Sequence, residues 1–580
     1  MQRLELTWIG KDEQPQVEPR ILLQDPSKDY GDPNAQNMLI HGDNLLALKA
    51  LEQQFAGQVK CIYIDPPYNT GEAFDEYDDN LEHSIWLQLM YARLKVLKNL
   101  LAPDGVIFVQ LNDEEMNYCK VIMDEIFGRS NFINLISVKT KNSSGASGGG
   151  EDRKLKKNTE YLICFGGQEF KKFYPTYTTV ELSKYLDEMR TNGVSFKYTT
   201  VFTELGERTY YKTIKDGSGN DIVIYSHSDY QTKSIKQLAN EDGITEIEVF
   251  NKYYDRVCTT ENAQTSIRTR VQDATDENDN LYSIDYYPIS GRNKGKLTTV
   301  HFVGKNKRLV SWFKNVCIQE RGYIFKKEKV GSLWADLNWN NVNREGGVVF
   351  SGGKKPEVLL QRIFELSTQP GDLILDSFLG SGTTAAVAHK MGRRYIGIEL
   401  GNHCYTHCIP RLNSVIDGTD NGGITNDVNW QGGGGYKFYE LAPTLIEKDK
   451  YGNPVFSGKY NPTMIAAAVA KINGFTYAPN KEVYWKQGYS QDNSFIYVTT
   501  QYLNSKMLDS IAEDVDPFEN LLVCAPAFDN GLSKRYDNIN VRKIPQSVLK
   551  KCEFGVDNYN LNIIDPPEID EDEWEEDEEC

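Results

Sequence analysis

The chain has 580 residues, too many for one ordinary hydrophobic core, so two to four domains are expected. Its 40% apolar content, with 34 Tyr and 24 Phe, excludes a disordered chain; no apolar run reaches membrane-spanning length, the start lacks a signal-peptide core, and ten scattered cysteines agree with a reducing, cytoplasmic setting. Of the net charge of −18, −10 sits in the last 13 residues, EIDEDEWEEDEEC, which leaves −8 over residues 1–567 and does not exclude a local nucleic-acid surface.

Residues 1–34 read as an N-terminal extension. From 35 to 137, short apolar runs alternate with helical periodicity. His41-Gly42-Asp43-Asn44 opens the helix LLALKALEQQF, and Asp43 is either a cofactor contact or that helix's N-cap. VKCIYID reads as a buried strand and HSIWLQLMYARLKVLKNLL as an amphipathic helix. GVIFVQL, after a turn at Pro103 to Gly105, is a second buried strand, which makes a parallel crossover unit. This rhythm stops at 138. Residues 138–343 begin with the Gly/Ser and Lys segment KTKNSSGASGGGEDRKLKK and continue as Tyr/Thr/Val-rich strands and polar loops. The rhythm returns over 344–418: PEVLLQRIFELS as a helix, DLILDSF as a strand, GTTAAVAHKMG as a helix and RRYIGIEL as a strand. The simplest account is one α/β domain in two chain segments with a recognition domain inserted between them. A Gly-rich linker over 419–439, an α+β domain over 440–567 and an acidic tail over 568–580 complete the expected organisation.

Two constellations carry chemistry. Asp65-Pro66-Pro67-Tyr68-Asn69-Thr70-Gly71 follows a buried strand directly. The exocyclic amine of adenine is a poor nucleophile because its lone pair is delocalised into the ring, so catalysis needs acceptors for both N–H groups as nitrogen becomes tetrahedral. The Asp65 carboxylate and the Pro66 carbonyl offer them, the prolines Pro66 and Pro67 fix the backbone that aims them, and Tyr68 offers an aromatic face for a flipped base. The bland alternative is a strand-terminating turn, and the second copy, Asp565-Pro566-Pro567-Glu568, which has no aromatic, is read that way. Asp376-Ser377-Phe378-Leu379-Gly380-Ser381-Gly382-Thr383-Thr384 lies between a buried strand and a helix, where open α/β sheets bind cofactors. Ala385 stands where a dinucleotide fingerprint needs its third glycine, and no Lys follows to make a phosphate loop. The next strand ends in Glu399, an acid suited to ribose hydroxyls or to a simple cap, so a nucleoside cofactor without phosphates fits both observations.

With these motifs in view, the sequence resembles the DNA amino-methyltransferases in which a DPPY motif precedes an F-x-G-x-G cofactor motif. The similarity is greatest to the modification (Mod) subunits of Type III restriction-modification systems. Matching text includes LIHGDNLLALKAL, CIYIDPPYNTG, ENAQTSIRTRV, KPEVLLQRIFELSTQPGDLILDSFLGSGTTAAVAHKMGRRYIGIEL and the pair Arg411-Leu412. The resemblance implies a Rossmann-like mixed seven-stranded sheet that binds S-adenosyl-L-methionine, with Asp65, Pro66, Pro67 and Tyr68 catalytic. It places Asp376, Phe378, Gly380 and Glu399 at the cofactor, with Lys355 and Pro356 completing that pocket; Gly382, Thr383 and, in one of its two readings, Asp43 are counted with them from their positions beside the motifs. It implies adenine N6 as the target, with cytosine N4, RNA adenine or an inactive binding subunit as alternatives. A C5 enzyme would need a Pro-Cys nucleophile, and Cys61 is read as core. The resemblance further implies a homodimer on double-stranded DNA, open to a separate restriction subunit.

Within the insert, residues 285–329 hold eleven Lys or Arg against three Asp or Glu. Arg292, Lys294, Lys296, Lys305, Lys307, Arg308 and Lys314 interleave with Tyr286, Tyr287, His301, Phe302, Trp312 and Phe313, a pattern suited to phosphates and bases. Lys139, Lys141, Arg153, Lys154, Lys156 and Lys157 flank the Gly/Ser loop and are expected to close over DNA. His403, Cys404, His407 and Cys408 have ligand spacing but fall on an expected ordinary helix, so no metal is expected.

Overall fold

Apolar runs with no polar face need cover on both sides, and here they become the inner strands of one large sheet. The computed structural model describes residues 5–68, 79–141, 157–262, 265–289, 293–339, 342–350, 353–557 and 559. It comprises two compact units, Met1–Tyr174 with Gly331–Cys580, and Pro175–Val330.

The larger unit carries β1 (Leu22–Gln24), β2 (Tyr30–Gly31), β3 (Met38–His41), β4 (Val59–Ile64), β5 (Leu101–Leu111), β6 (Phe132–Lys139), β7 (Thr159–Gly166), β8 (Leu333–Trp334), β9 (Leu373–Asp376), β10 (Arg394–Glu399) and β11 (Gly435–Leu441). Their order is β1-β11-β3-β10-β9-β4-β5-β7-β6-β8, with β2 also on β11. Strands β11, β3, β10, β9, β4 and β5 run parallel in succession. Strand β7 enters antiparallel between β5 and β6. Helices α1 (Asn44–Phe55) and α2 (Asp79–Leu100) pack Leu48, Leu51, Trp86 and Leu94 against Ile62, Ile64, Ile107 and Val109. Further along come α3 (Glu357–Ser367), α4 (Thr383–Lys390) and α5 (Ile409–Ile416). Because β3, β4, β9 and β10 are parallel neighbours, His41, Asp65, Asp376 and Glu399 all fall at one edge of the sheet, where an open α/β sheet leaves its crevice.

The mixed α/β sheet is the one expected, widened from seven strands to eleven. The N-terminal extension supplies β1 and β2, both of which add to β11. Nor is 419–439 a linker: Ile424 is fully buried, Trp430 Nε1 donates to the Val415 carbonyl at 2.7 Å, and the glycine run turns directly into β11. Gly31 of β2, which pairs with Gly435 of β11, must be glycine because its Cβ would lie 2.2 Å from the Gly434 carbonyl. The expected turn at Pro103 to Gly105 is a bulge inside β5, where pairing passes from Val59–Leu101 to Cys61–Val106.

The second compact unit is narrower than the 138–343 insert read from sequence, because β6, β7 and β8 belong to the main sheet. It holds an eight-stranded antiparallel sheet and a three-stranded one. The region after 441 forms a five-stranded mixed sheet, with helices Pro462–Ile472 and Ser505–Asp514, inside the larger unit, and Ile21 and Leu23 pack against its core. The acidic tail and Asp565-Pro566-Pro567 lie outside the described residues.

A buried ion network ties the helices of the second chain segment together. Glu357, the first residue of α3, meets Arg411 of α5 and Lys390 of α4 at 2.8 Å each, and Lys390 meets Asp420 at 2.7 Å. The Glu357, Arg411 and Lys390 side chains are fully buried. Charges without water are tolerable only when each has its partner. Glu357→Ala is expected to lower unfolding free energy by about 3–5 kcal/mol, the cost of stranding a buried cation, as measured by chemical denaturation; a loss below about 1 kcal/mol, the scale of exposed pairs, would contradict a structural role for the network.

Candidate active site

A cavity of about 560 Å³ opens at the carboxyl ends of β4, β9 and β10, lined among others by Asp65, Pro66, Pro67, Tyr68, Lys355, Asp376, Phe378, Gly380, Thr383 and Glu399. The two motifs, far apart in sequence, therefore face one space.

On the β4 side, Tyr68 donates its hydroxyl to Asp65 Oδ1 at 2.7 Å and approaches Glu160 Oε2 at 3.0 Å. The Pro67 carbonyl accepts from Trp86 Nε1 at 2.7 Å, which pins the double-proline turn to α2. Lys355 Nζ sits 2.8 Å from Asp65 Oδ2 and 3.5 Å from Glu160 Oε2, and lies 5.1 Å from the Tyr68 ring centre. Burial raises the Asp65 carboxyl above the usual carboxylate range; Lys355 pulls it back and Glu160 pushes it up. Burial alone would lower Lys355, but Asp65 and Glu160 outweigh it and the ammonium is held above its ordinary value. Lys355, a cofactor-pocket candidate of the sequence, lines the cavity with its charge paired to Asp65. Pro356 is the N-cap of α3 and does not line the cavity, because its fixed φ of −70° starts the helix.

On the β9 side, Asp376 Oδ1 accepts from the Phe378 amide at 2.9 Å and Oδ2 from the Thr384 hydroxyl at 2.6 Å. Burial pushes the Asp376 carboxyl up to about 7. The glycines let the loop turn: Gly380 and Gly382 have φ of 55° and 82°, and Gly382 caps α4 without itself lining the cavity. Thr383 Oγ1 accepts from Arg411 at 2.7 Å, so the buried ion network reaches the loop. Glu399 accepts backbone N–H groups from Gly380 at 2.6 Å and Gly401 at 2.8 Å, which fixes its carboxylate in the wall.

Asp43 is not a cavity residue. Its Oδ1 caps α1 by accepting from Leu46 at 3.0 Å, its Oδ2 accepts from the Tyr559 amide at 2.9 Å, and Arg93 stands 3.6 Å away, so every face is used inside the fold. Its neighbour Asn44 takes the place in the wall and donates to the Ser377 carbonyl at 2.8 Å. Cys61 is core, its thiol pushed up to about 12 by burial. His403 lies 3.0 Å from Glu399, His407 meets the Val349 carbonyl at 2.8 Å, and Cys404 and Cys408 are buried.

Sequence reading missed Glu160 and Gln110. Glu160 carries no motif; it sits near the start of β7, and only the sheet order brings it beside Tyr68.

The basic candidates divide by burial. Lys294, Lys296, Lys305 and Arg308 are exposed in the smaller unit. Lys307 is buried, and its ammonium is bound by the Asp276 and Asn278 carbonyls at 2.7 and 3.1 Å, so it braces its own loop and cannot reach a phosphate. Lys314 pairs with Asp255 at 3.2 Å, and Phe302 and Phe313 are core. In the larger unit Lys141 is exposed and Lys139 half-buried, while Lys157 is paired with Asp113 and Glu114 at 3.1 and 2.6 Å. Asn69, Gly71, Arg153, Lys154, Lys156 and Arg292 lie outside the described residues. Among the described residues no helix is long and apolar enough to cross a membrane.

Comparison with known proteins gives consistent relatives. The profile of a family described as DNA methylase matches residues 59–409. A probable type III restriction-modification enzyme HindVI Mod subunit of Haemophilus influenzae is 43% identical over 412 residues, which cover 70% of this chain and 54% of that protein. The type III restriction-modification enzyme EcoPI Mod subunit of Escherichia phage P1 is 26% identical over 429 residues, 66% of this chain and 60% of that one. The chain thus spans little more than half the length of these two relatives. Among solved structures, PvuII DNA methyltransferase (cytosine-N4-specific) matches with a TM-score of 0.33 at 12% identity, over 72% of this chain and 94% of that one.

Burial of Asp376 links stability to pH. The fold binds that proton up to about pH 7, whereas an unfolded Asp releases it near about 3.9, so its contribution is fully present at acid pH and is lost as pH rises towards 7. Asp376→Asn, which does not titrate, is expected to gain melting temperature relative to the parent chain between about pH 5 and about pH 8. Thermal melts at both values check this; a difference independent of pH would contradict the burial argument.

Proposed function

The chain belongs to the DNA methylase family, and from that premise we propose that it is an S-adenosyl-L-methionine-dependent methyltransferase acting on the N6 amine of adenine in double-stranded DNA. The observation that carries this reading is the shared cavity, with Asp65 and Tyr68 on one wall and Asp376, Phe378, Gly380 and Glu399 on the other.

The wall suits a nucleoside that carries a cation and no phosphate. Three acidic side chains, Asp65, Asp376 and Glu399, face the space. Of the two lysines in the wall, Lys355 is paired with Asp65, and Lys354 donates to the Glu345 and Val348 carbonyls at 2.5 and 2.6 Å. The cofactor supplies, when bound, a methyl group made electrophilic by its sulfonium. Glu399 is the residue to bind the ribose hydroxyls, since backbone donors and His403 fix its carboxylate and Oε2, which accepts from Gly380, keeps a further lone pair. Phe378 would pack against the cofactor, and the turn at Gly380 leaves room for backbone to approach it.

The remaining work falls to the β4 motif. Asp65 and the Pro66 carbonyl accept the two N–H groups of the target amine and hold its lone pair towards the methyl group. As nitrogen becomes tetrahedral its N–H groups grow more acidic, so these bonds strengthen in the transition state. Tyr68 stacks the base, which must leave the duplex because a walled cavity cannot reach an amine inside stacked DNA. The exposed Lys294, Lys296, Lys305 and Arg308 neutralise phosphates. In the cell this chain is the modification component of a restriction-modification or phage-defence system, a cytoplasmic homodimer open to a separate restriction subunit.

Incubation of unmodified DNA with the chain and labelled cofactor, followed by nucleoside digestion, is expected to yield N6-methyladenine. N4-methylcytosine in its place would select the other amine, and no methylated nucleoside would overturn the reading. Asp65→Ala is expected to abolish transfer while cofactor binding, followed by calorimetry, persists; full turnover in that variant would remove Asp65 from catalysis. Lys294→Ala with Lys296→Ala is expected to weaken DNA binding at all sequences and to flatten the salt dependence by about one to two units of log–log slope, measured by titration at several salt concentrations; an unchanged slope would remove these lysines from the interface.

A further inference from the structure

Glu160 belongs to no motif, yet it closes a ring with the central groups of the site. Tyr68 reaches Asp65 Oδ1 at 2.7 Å and Glu160 Oε2 at 3.0 Å; Lys355 reaches Asp65 Oδ2 at 2.8 Å and Glu160 Oε2 at 3.5 Å. One phenolic proton and one ammonium are thus shared between two carboxylates. Gln110 donates to the same Glu160 oxygen and is itself held by the Tyr63 hydroxyl at 2.7 Å, so Glu160 is anchored from the sheet side. Both donors have a second destination ready, and in this state both lie closer to Asp65.

That arrangement conflicts with what Asp65 must do. A carboxylate that already accepts from an ammonium and a phenol is a weakened acceptor for an incoming amine. We propose that Glu160 is a positioning residue for methyl transfer: when the substrate amine arrives it takes over the Lys355 ammonium and the Tyr68 hydroxyl, leaving the Asp65 oxygens to the amine. The exchange strands no charge, because Lys355 passes from one carboxylate to another inside the same buried cluster. No bond to carbon and no net proton transfer is involved. This inference rests on the function proposed above.

The groups facing Asp65 are Lys355, Glu160, Tyr68 and Tyr63, with Asp376 across the cavity and Glu399 beyond it. Glu160 repels the Asp65 charge, so its neutralisation makes Asp65 easier to ionise while leaving Lys355 no second carboxylate to pass to. The test is the pH dependence of kcat for Glu160→Gln, from about pH 5 to about pH 9, with KM for DNA measured in parallel. Expected are a kcat lower by roughly tenfold to a hundredfold, the effect of one hydrogen bond to a charged group, an unchanged KM, and an acid limb displaced to lower pH. Glu160→Asp keeps the charge but shortens the reach, and should lose kcat while its acid limb stays in place; it carries the test if the Gln variant does not fold. Parent-like kcat and acid limb in Glu160→Gln, or loss confined to KM, overturns the inference and leaves the proposed function standing. A parent chain that methylates no DNA overturns both.

Discussion

The site depends on a single buried cation. Lys355 arrives with the second chain segment, Asp65 with the first, and the contact at 2.8 Å between them is where two halves separated by an entire compact unit become one functional surface. Without the ammonium, Asp65 and Glu160 would be two carboxylates sharing a poorly hydrated space, and one would have to take up a proton. With it, the cluster carries one net negative charge at the edge of a sheet whose strands β4 and β9 run parallel and side by side.

The opposite wall is fastened by a second set of charges. Arg411 links Glu357 at the head of α3 to Thr383 at the head of α4, and Lys390 adds Asp420 from the segment that turns back towards β11. The loop after β9 is therefore held from behind by ionic contacts and from the front by the hydrogen bonds of Asp376 and Glu399. For the proposed transfer to an amine with little intrinsic reactivity such preorganisation would matter, because donors and acceptors already in place need no rearrangement as charge develops. The carboxylates of the wall also make the cavity hospitable to a cation and poor for a phosphate.

Much of this was legible in the sequence where the signal is local. VKCIYID and DLILDSF have no polar face, and each is followed at once by its motif, so strand and loop could be read together. What escaped was contact between distant segments. Glu160 looks like any acid after a Lys-rich stretch until β7 pairs with β5 and brings it beside Tyr68. Lys355 could be seen as part of the site, but its partner could not. Asp43 shows that a polar residue after a strand serves two readings equally well, and the N-cap won because its second oxygen is claimed by Tyr559. Charge counting erred at Lys307, whose backbone φ of 44° turns the side chain inwards onto carbonyls. The glycines of 419–439 suggested a linker because composition reports flexibility and not what the turn leads into, here the strand β11.

The central claim is that one cavity joins a methyl donor to an exocyclic adenine amine of DNA. Its most direct test is single-molecule modification sequencing of DNA from a host that lacks endogenous methylation and expresses this chain alone. The account predicts N6-methyladenine at one reproducible sequence motif, abolished when Asp65 is replaced. Genomic DNA free of methylated adenine, from a host in which the folded chain is abundant, would contradict it.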